Sequence, residues 1–570
     1  MRGEIILDKG IANQGKSNTS KYLMFPLGIL PVLGIAILIS LGFFAFFVAA
    51  SFAGQPLGNL GTFQKWGKIE VTMPGPSSVG TGTPNPFSIF VDVTFTGPNG
   101  KTYIVPGFYN GDDNGNPNGN IWKVRFSADQ AGTWSFVSNS PNNTLDGYTG
   151  SFTVVAAGTT NPDFYRWGRL EYVGTKTDKV RYLKFRDGPH WLKAGSDDPE
   201  NFLGKFSNYD TLAKRKNAAD YLAGKGVNSL YIMTHNIDGD HQDVWPWLGV
   251  TQEEAKQNGG SDARFDIVKL EEWKELFEYM QRSGIVPYLV LEDDSAWSGY
   301  DHARYYRELI ARFGYLPALI FNFCEEYNER YTLSEAISYM QQLKDIDPYD
   351  HPRGIHNVND PSTTYVDSSV LDFTSIQTNY VNPLLHNQLA INWLQASNTR
   401  GKRILMIGFD EPRPELDRKG WWSGYMGGGV WEVHVDGPYD RPMSAWETAW
   451  NEIGGARTFM ESIPFWEMEP NNTLIRSGTA FCLAKPGETY ALYLPAGGTV
   501  SVDLAEGNSY DYSWWNPAND KNGSFLNGGK INGGLRIFTA PNGNDWALKI
   551  VKSGSADARR PFPPTNLAVH

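Results

Sequence analysis

Between Tyr182 and Met460, short apolar runs alternate with stretches of helical period, and few folds accept that order. Strands separated by helices pair in parallel, because each crossover returns the chain to the same end of the sheet and lays a helix on its face. Apolar runs near Trp191, Ser229, Val286, Ile320, Gly354, Phe373, Leu405 and Val430 predict the strands. Helical spacing marks Tyr209 to Ala223, Val268 to Arg282, His302 to Arg312, Leu333 to Leu343, Leu384 to Leu394 and Ala445 to Met460. Together they predict a central (β/α)8 TIM barrel over 158–465. In that fold the working groups follow each strand's C-terminal end.

The fourth run, Ala318-Leu-Ile-Phe-Asn-Phe-Cys-Glu-Glu-Tyr-Asn-Glu329, passes from apolar and aromatic residues straight into paired carboxylates. Strand alternation puts Asn322, Cys324 and Glu326 on one face and Phe321, Phe323 and Glu325 on the other. In a parallel barrel the bulky face packs on helices, so Glu326 is the acid expected in the pocket. The competing reading of a Glu-Glu pair is a solvated loop. Around the mouth, candidate substrate contacts are Lys193, Asp197, Glu200 and Asn201 from strand one, with His235 and Asn236 from strand two. Strand three offers Glu292 and Trp297, strand four Asn322 and Glu325, and strand five His356. Gln377 and Tyr380 come from strand six, Trp431 and Glu432 from strand eight. Strand seven ends in Asp410-Glu411, and alternation does not choose between them.

Both flanks read differently. Residues 62–157 carry short alternating strands such as Phe90-Val-Asp-Val-Thr-Phe95 and Trp122-Lys-Val-Arg-Phe126, and residues 466–553 carry others such as Thr499-Val-Ser-Val-Asp503. Each predicts a small β-sandwich. Residues 51–61 read as a Gly-rich linker and 554–570 as a disordered tail. Residues 23–50 hold no charge and are long enough to cross a bilayer, which takes about 20 apolar residues. Arg2, Lys9, Lys16 and Lys21 precede them, which places 1–22 in the cytoplasm and the bulk of the chain outside. Ser51-Phe-Ala53 looks like a cleavage site, so a signal peptide competes with an uncleaved anchor. Either way the expected location is extracellular or at the cell surface.

A net charge of -12 argues against nucleic acid as a partner. Aromatics at 14%, with 19 Trp, suit polar rings stacked on aromatic faces, and Trp297, Trp421, Trp422 and Trp431 are candidates for that role beside ordinary packing. Cys324 and Cys482 are too few for a disulfide framework or a cysteine zinc site. The donors scattered through His235-Asn-Ile-Asp-Gly-Asp-His241 read as loop or sugar hydrogen bonding, so neither a metal nor another cofactor is expected.

The chain resembles known modules along most of its length after Gly61. Gly107-Phe-Tyr-Asn-Gly111, Trp122-Lys-Val-Arg-Phe126 and Gly132-Thr-Trp134 are similar to a sandwich domain of unknown function found ahead of barrel glycosidases. Phe321-Asn-Phe-Cys-Glu-Glu-Tyr-Asn328, Ile407-Gly-Phe-Asp-Glu-Pro412 and Leu192-Lys-Ala-Gly-Ser-Asp-Asp-Pro-Glu-Asn-Phe-Leu203 resemble motifs of the apiosidase-like glycosidases, within the large clan of retaining (β/α)-barrel hydrolases. Tyr493-Leu-Pro-Ala-Gly-Gly498 and Trp515-Asn-Pro517 resemble a collagen-binding-like domain attached to such barrels. The resemblance implies a retaining glycoside hydrolase of an extracellular polysaccharide or glycan, with Glu326 as acid/base and Glu411 as nucleophile. Phe321 and Cys324 depart from the family's Trp and Gly. The alternative class is a non-catalytic carbohydrate- or matrix-binding surface protein on the same scaffold. Oligomeric state has no signature here.

Overall fold

The computed structural model describes residues 55–174, 180–196, 201–205, 208–358, 368–378, 382–397, 404–409, 414–433 and 441–555. The expected cytoplasmic segment 1–22, the membrane segment 23–50 and, from 556 onward, the expected tail 554–570 lie outside them. Among the described residues no helix is long and apolar enough to cross a membrane.

Eight parallel strands close into a barrel: Ala194–Ser196, Ser229–Met233, Val286–Glu292, Ile320–Cys324, Arg353–Val358, Phe373–Thr378, Ile404–Phe409 and Val430–Val433. Each coincides with or adjoins an apolar run marked in the sequence. The six expected helices are present as Leu212–Lys225, Ile267–Ser283, His302–Phe313, Leu333–Ile346, Pro383–Ser397 and Glu447–Met460. Four begin alike, with Thr211, Asp266, Asp301 or Thr332 accepting a first-turn amide that no intrahelical carbonyl can reach. Two further helices, Gln252–Gly259 and Pro414–Met426, complete the layer.

Closure of the ring is delicate, because the first strand is only 3 residues long. It pairs with strand two at a single position, Gly195 with Ser229, where any side chain would strike the Ser229 carbonyl. Against strand eight it pairs Ala194 with Trp431, Gly195 with Glu432 and Ser196 with Val433. Beside that short ladder, Lys193 Nζ forms an ion pair with Glu432 Oε1, and both side chains are completely buried. The ammonium also donates to the Ser196 carbonyl at 3.0 Å and lies 5.2 Å from the Tyr288 ring centre. Ser375 donates to the other Glu432 oxygen at 3.3 Å. Side chains thus tie strand eight to strands one and six.

The N-terminal module is a sandwich of a five-stranded and a three-stranded sheet. Its core holds Trp122, Trp134 and the stacked rings of Phe95 and Phe126, 4.2 Å apart. Pro56–Gln64, most of which falls in the stretch 51–61 expected as a Gly-rich linker, is instead a strand pairing in parallel with Thr149–Val155. Gly58 and Gly61 have φ of 73° and 103° at its register shifts, so the residues that suggested a linker are those that let this strand bend. At the other end, where two sheets were expected, hydrogen bonds join all seven strands in one sheet. Its longest strand, Thr499–Trp515, has a register shift between Leu504 and Ser509 near Gly507 (φ 78°), and residues on both sides of that shift share one apolar core.

Arginines fasten both modules to the barrel. Arg125 of the sandwich, 1% exposed, meets Glu70 at 2.9 Å and Glu271 of the barrel at 2.5 Å. Arg312 contacts the same Glu271 at 3.2 Å and donates to the Tyr109 carbonyl. At the C-terminal seam, Arg418 bridges Asp545 and Glu452 while Trp422 stacks on Tyr493.

Two outcomes follow from these buried charges. Lys193→Met leaves Glu432 buried without its cation and should destabilise the chain by about 3–5 kcal/mol in denaturant unfolding. Burial alone would raise the Glu271 carboxyl, but Arg125 and Arg312 outweigh it and bring it down to about 2. A folded value below the unfolded one contributes stability above pH of about 4.3 and loses it as pH falls toward 2. Thermal melting of Arg125→Met should therefore fall less steeply than wild type across that acid range.

Candidate active site

Strand four behaves as alternation requires. Asn322 points inward and donates to the Tyr231 hydroxyl at 2.9 Å, while Phe323 stacks on Tyr339 of the helix layer at 5.1 Å. All five residues of the strand are buried, and the two glutamates that follow are half-buried. Glu326 adopts φ 44° and ψ 41°, a left-handed conformation that a non-glycine residue holds only where its surroundings impose it. This turn ends the strand abruptly. Glu326 Oε1 accepts a hydrogen bond from Gln377 Nε2 of strand six at 2.7 Å, so strands four and six meet across the mouth at this carboxylate.

More acid gathers beside it. Carboxylate oxygens of Asp294, Glu326 and Glu329 lie within 4.8 Å of one another. Burial, then the neighbouring Asp293, pushes Asp294 up to about 7, so near neutrality part of this cluster carries protons. The nearby Arg330 guanidinium is committed elsewhere, donating to the Asp294 carbonyl at 3.1 Å, to the Ala296 carbonyl and to Ser298 Oγ at 2.7 Å.

Beneath the mouth lies a sealed polar layer. Tyr231 hydrogen-bonds His356 at 3.4 Å and Asn322, and it packs edge-on against Tyr288. Lys193 and Glu432 belong to this layer, so four of the expected substrate contacts, Lys193, Asn322, His356 and Glu432, are side chains of the barrel interior and at most 1% exposed. His235 is enclosed by Trp247 and Tyr300, each 4.9 Å away. Its Nδ1 accepts from the Ile237 amide and its Nε2 donates to the Trp297 carbonyl, the pattern of one neutral tautomer. Burial pushes this imidazole down to about 3, so it stays neutral through the physiological range. Asn236 fastens its own loop, donating to Asp240 and accepting from Val244. Asn201 is buried in the turn that leads to Gly204.

Among the aromatic candidates, Trp421, Trp422 and Trp431 are completely buried, whereas Trp297 is half-buried beside Trp247. Glu292 is fully buried, its carboxylate held by Tyr300 rather than turned to the mouth. Asp197, Glu200, Tyr380, Asp410 and Glu411 lie outside the described residues, and strand seven is described to Phe409. Two acids the sequence reading passed over, Asp294 and Glu329, stand next to Glu326. Position relative to the strand ends marked them as much as it marked Glu292.

Residues 62–141 match the family described as a domain of unknown function, DUF5060. No curated protein matches the chain. Among solved structures, the fold is similar to a presumed glycoside hydrolase from Bacteroides vulgatus ATCC 8482, with TM-score 0.67, 16% identity, and 86% of this chain and 99% of that one covered. It is also similar to a glycoside hydrolase at TM-score 0.54 and 16% identity, covering 70% of this chain and all of the other. A family 5 glycoside hydrolase from Bacteroides vulgatus ATCC 8482 aligns at TM-score 0.52 and 15% identity, over 71% and 98% of the two chains. At these identities the likeness is one of fold: a closed parallel barrel within a larger multidomain chain.

Proposed function

We propose that the protein is a glycoside hydrolase acting on an extracellular polysaccharide or glycan, either anchored at the cell surface or secreted. In this reading Glu326 is the general acid and base and Glu411 the nucleophile of a retaining reaction. The observation that carries it is the setting of Glu326: a half-buried carboxyl at the end of strand four, turned left-handed and held by Gln377 across the mouth. Hydrolysis of a glycosidic bond needs one carboxyl to protonate the leaving oxygen and a second, about 5–5.5 Å away in retaining enzymes, to attack the anomeric carbon. Gln377 suits the first role, because a neutral amide can orient the carboxyl without neutralising or accepting its proton.

The reaction would run in two stages. Glu326 gives its proton to the departing oxygen as Glu411 forms a bond to the anomeric carbon. Water then displaces Glu411 while Glu326 takes the water's proton. Glu325, Gln377 and Trp297 are the proposed sugar contacts among the described residues, joined by Asp197, Glu200 and Tyr380. Solved hydrolases with the same barrel support the class, and Ile407-Gly-Phe-Asp-Glu-Pro412 supports Glu411.

The test is release of reducing sugar from a panel of polysaccharides. Glu326→Gln should lower turnover by about 10²–10⁴-fold while the protein still sediments with the polysaccharide it cleaves. Unchanged turnover would remove Glu326 from the mechanism, and no turnover by wild type would favour a binding protein. Proton NMR of the first-formed product should show the anomer of the substrate; the opposite anomer would exclude direct attack by Glu411.

A further inference from the structure

We propose that Glu292 is a positioning residue for Glu326, a carboxyl anchored in a tyrosine cage that fixes the end of strand three and the Asp293–Asp294 turn facing the candidate acid. This rests on the hydrolase reading, but its observations are separate. Glu292 closes strand three beside Cys324, its partner in register, and its carbonyl accepts the Glu325 amide at 3.1 Å. The backbone that ends strand three is therefore bonded to the backbone that carries Glu326. Immediately afterwards, Asp293 holds the turn by accepting from the Ser295 amide and hydroxyl and from the Asp240 amide. Asp294 then reaches the cluster around Glu326.

The side chain of Glu292 goes the other way, into the layer behind the strands. Oε2 accepts from the Tyr300 hydroxyl at 2.6 Å, and the Tyr331 hydroxyl also approaches the buried carboxylate. Every element packed around it contributes a neutral group. Tyr300 precedes the helix His302–Phe313, which brings Tyr305 and Tyr306; Tyr331 follows strand four, and Tyr339 lies on the next helix. Burial raises all of these phenols, and it lowers the His302 imidazole to about 4, so none is charged near neutrality. Cys324 is likewise raised by burial. Among the described residues the Arg330 guanidinium attracts the Glu292 anion, and Asp293 opposes it. No ion pair holds Glu292 among the described residues. Burial outweighs Tyr300, Tyr331 and Arg330 and pushes it up to about 7.

Below neutrality the carboxyl is protonated in its cage and anchors the turn without adding a charge behind Glu326. Above neutrality it ionises, and the new anion acts on the acid end of strand four through a dry, aromatic medium. The direction for stability follows from linkage. With its folded value above the unfolded one, Glu292 costs stability progressively as pH rises from about 4.3 to 7.

The experiment compares the full chain with Glu292→Gln, which keeps shape and never ionises, and with Tyr300→Phe, which keeps the ring and removes the hydroxyl. In thermal melting, which needs no substrate, the melting point of Glu292→Gln relative to wild type should rise between pH 5 and pH 8. A difference independent of pH would overturn the protonated anchor. Kinetics use two aryl glycosides of the sugar that wild type hydrolyses, one with a phenolate and one with a dinitrophenolate leaving group. Only the first needs a proton from Glu326. Glu292→Gln and Tyr300→Phe should lower kcat/KM, which reports the first stage alone, by about tenfold for the phenyl glycoside and should affect kcat/KM for the dinitrophenyl glycoside much less. Equal losses for both leaving groups would reduce Glu292 to a packing residue. If wild type turns over no glycoside, the hydrolase reading falls and positioning falls with it, while melting still reports on the anchor itself.

Discussion

The barrel depends on an ion pair that solvent never reaches. Strand one is too short to hold its place by backbone hydrogen bonds, and Lys193 with Glu432 supplies the missing constraint from inside the ring. A buried pair of this kind adds little net stability over apolar residues, because desolvating two charges offsets most of their attraction. Its effect is on register. Lys193 meets the Glu432 carboxylate with Gly195 opposite Glu432, and a slip of one residue would turn strand one's side chains to the opposite face. Once the ring is closed in that register, every strand's C-terminal end opens on the same mouth, and groups from strands four and six can meet there.

Much of this was legible in the residues. Alternating apolar runs and helical spacing located the strands because buried parallel strands are apolar along their whole length, whatever they do in the site. Parity within Ile320–Cys324 was readable because Phe323 finds an aromatic partner in the helix layer and Asn322 a polar one in the interior. The helix Gln252–Gly259 announced itself only by Thr251 and Glu254, which form a capping box over a polar stretch with almost no apolar stripe. Pro414–Met426 was harder, since Gly420 and Gly424 break its helical pattern and paired tryptophans looked like a sugar platform. Trp422 faces the C-terminal module, stacked on Tyr493, a surface that no local pattern encodes.

Polar residues after strands were the weaker guide. Composition says that a charged group sits near a strand end, but its direction depends on what the rest of the chain brings alongside. Lys193 and Glu432 lie far apart in the sequence and neutralise each other, and His235 is closed in by aromatic rings from two later segments. Glu292 is the clearest case. Nothing near it distinguishes a carboxyl facing a pocket from one facing tyrosines, and Tyr300 and Tyr331 reach it from either side of strand four.

The cage also gives the N-terminal module a physical connection to the mouth. One helix, His302–Phe313, carries Tyr305 and Tyr306 on the side that surrounds Glu292. The same helix presents Arg307 to the Val91 carbonyl and Asp92, and Arg312 to Tyr109 and Asn110, all in the sandwich. A tyrosine cage around an unpaired carboxyl works only if it cannot open to water, since hydration would remove the penalty that keeps the proton in place. A sandwich pinned to the outer face of that helix by two buried or half-buried arginines resists this opening. If Glu292 positions Glu326 as proposed, the module acts on the end of strand four without approaching it, through a helix that contacts both.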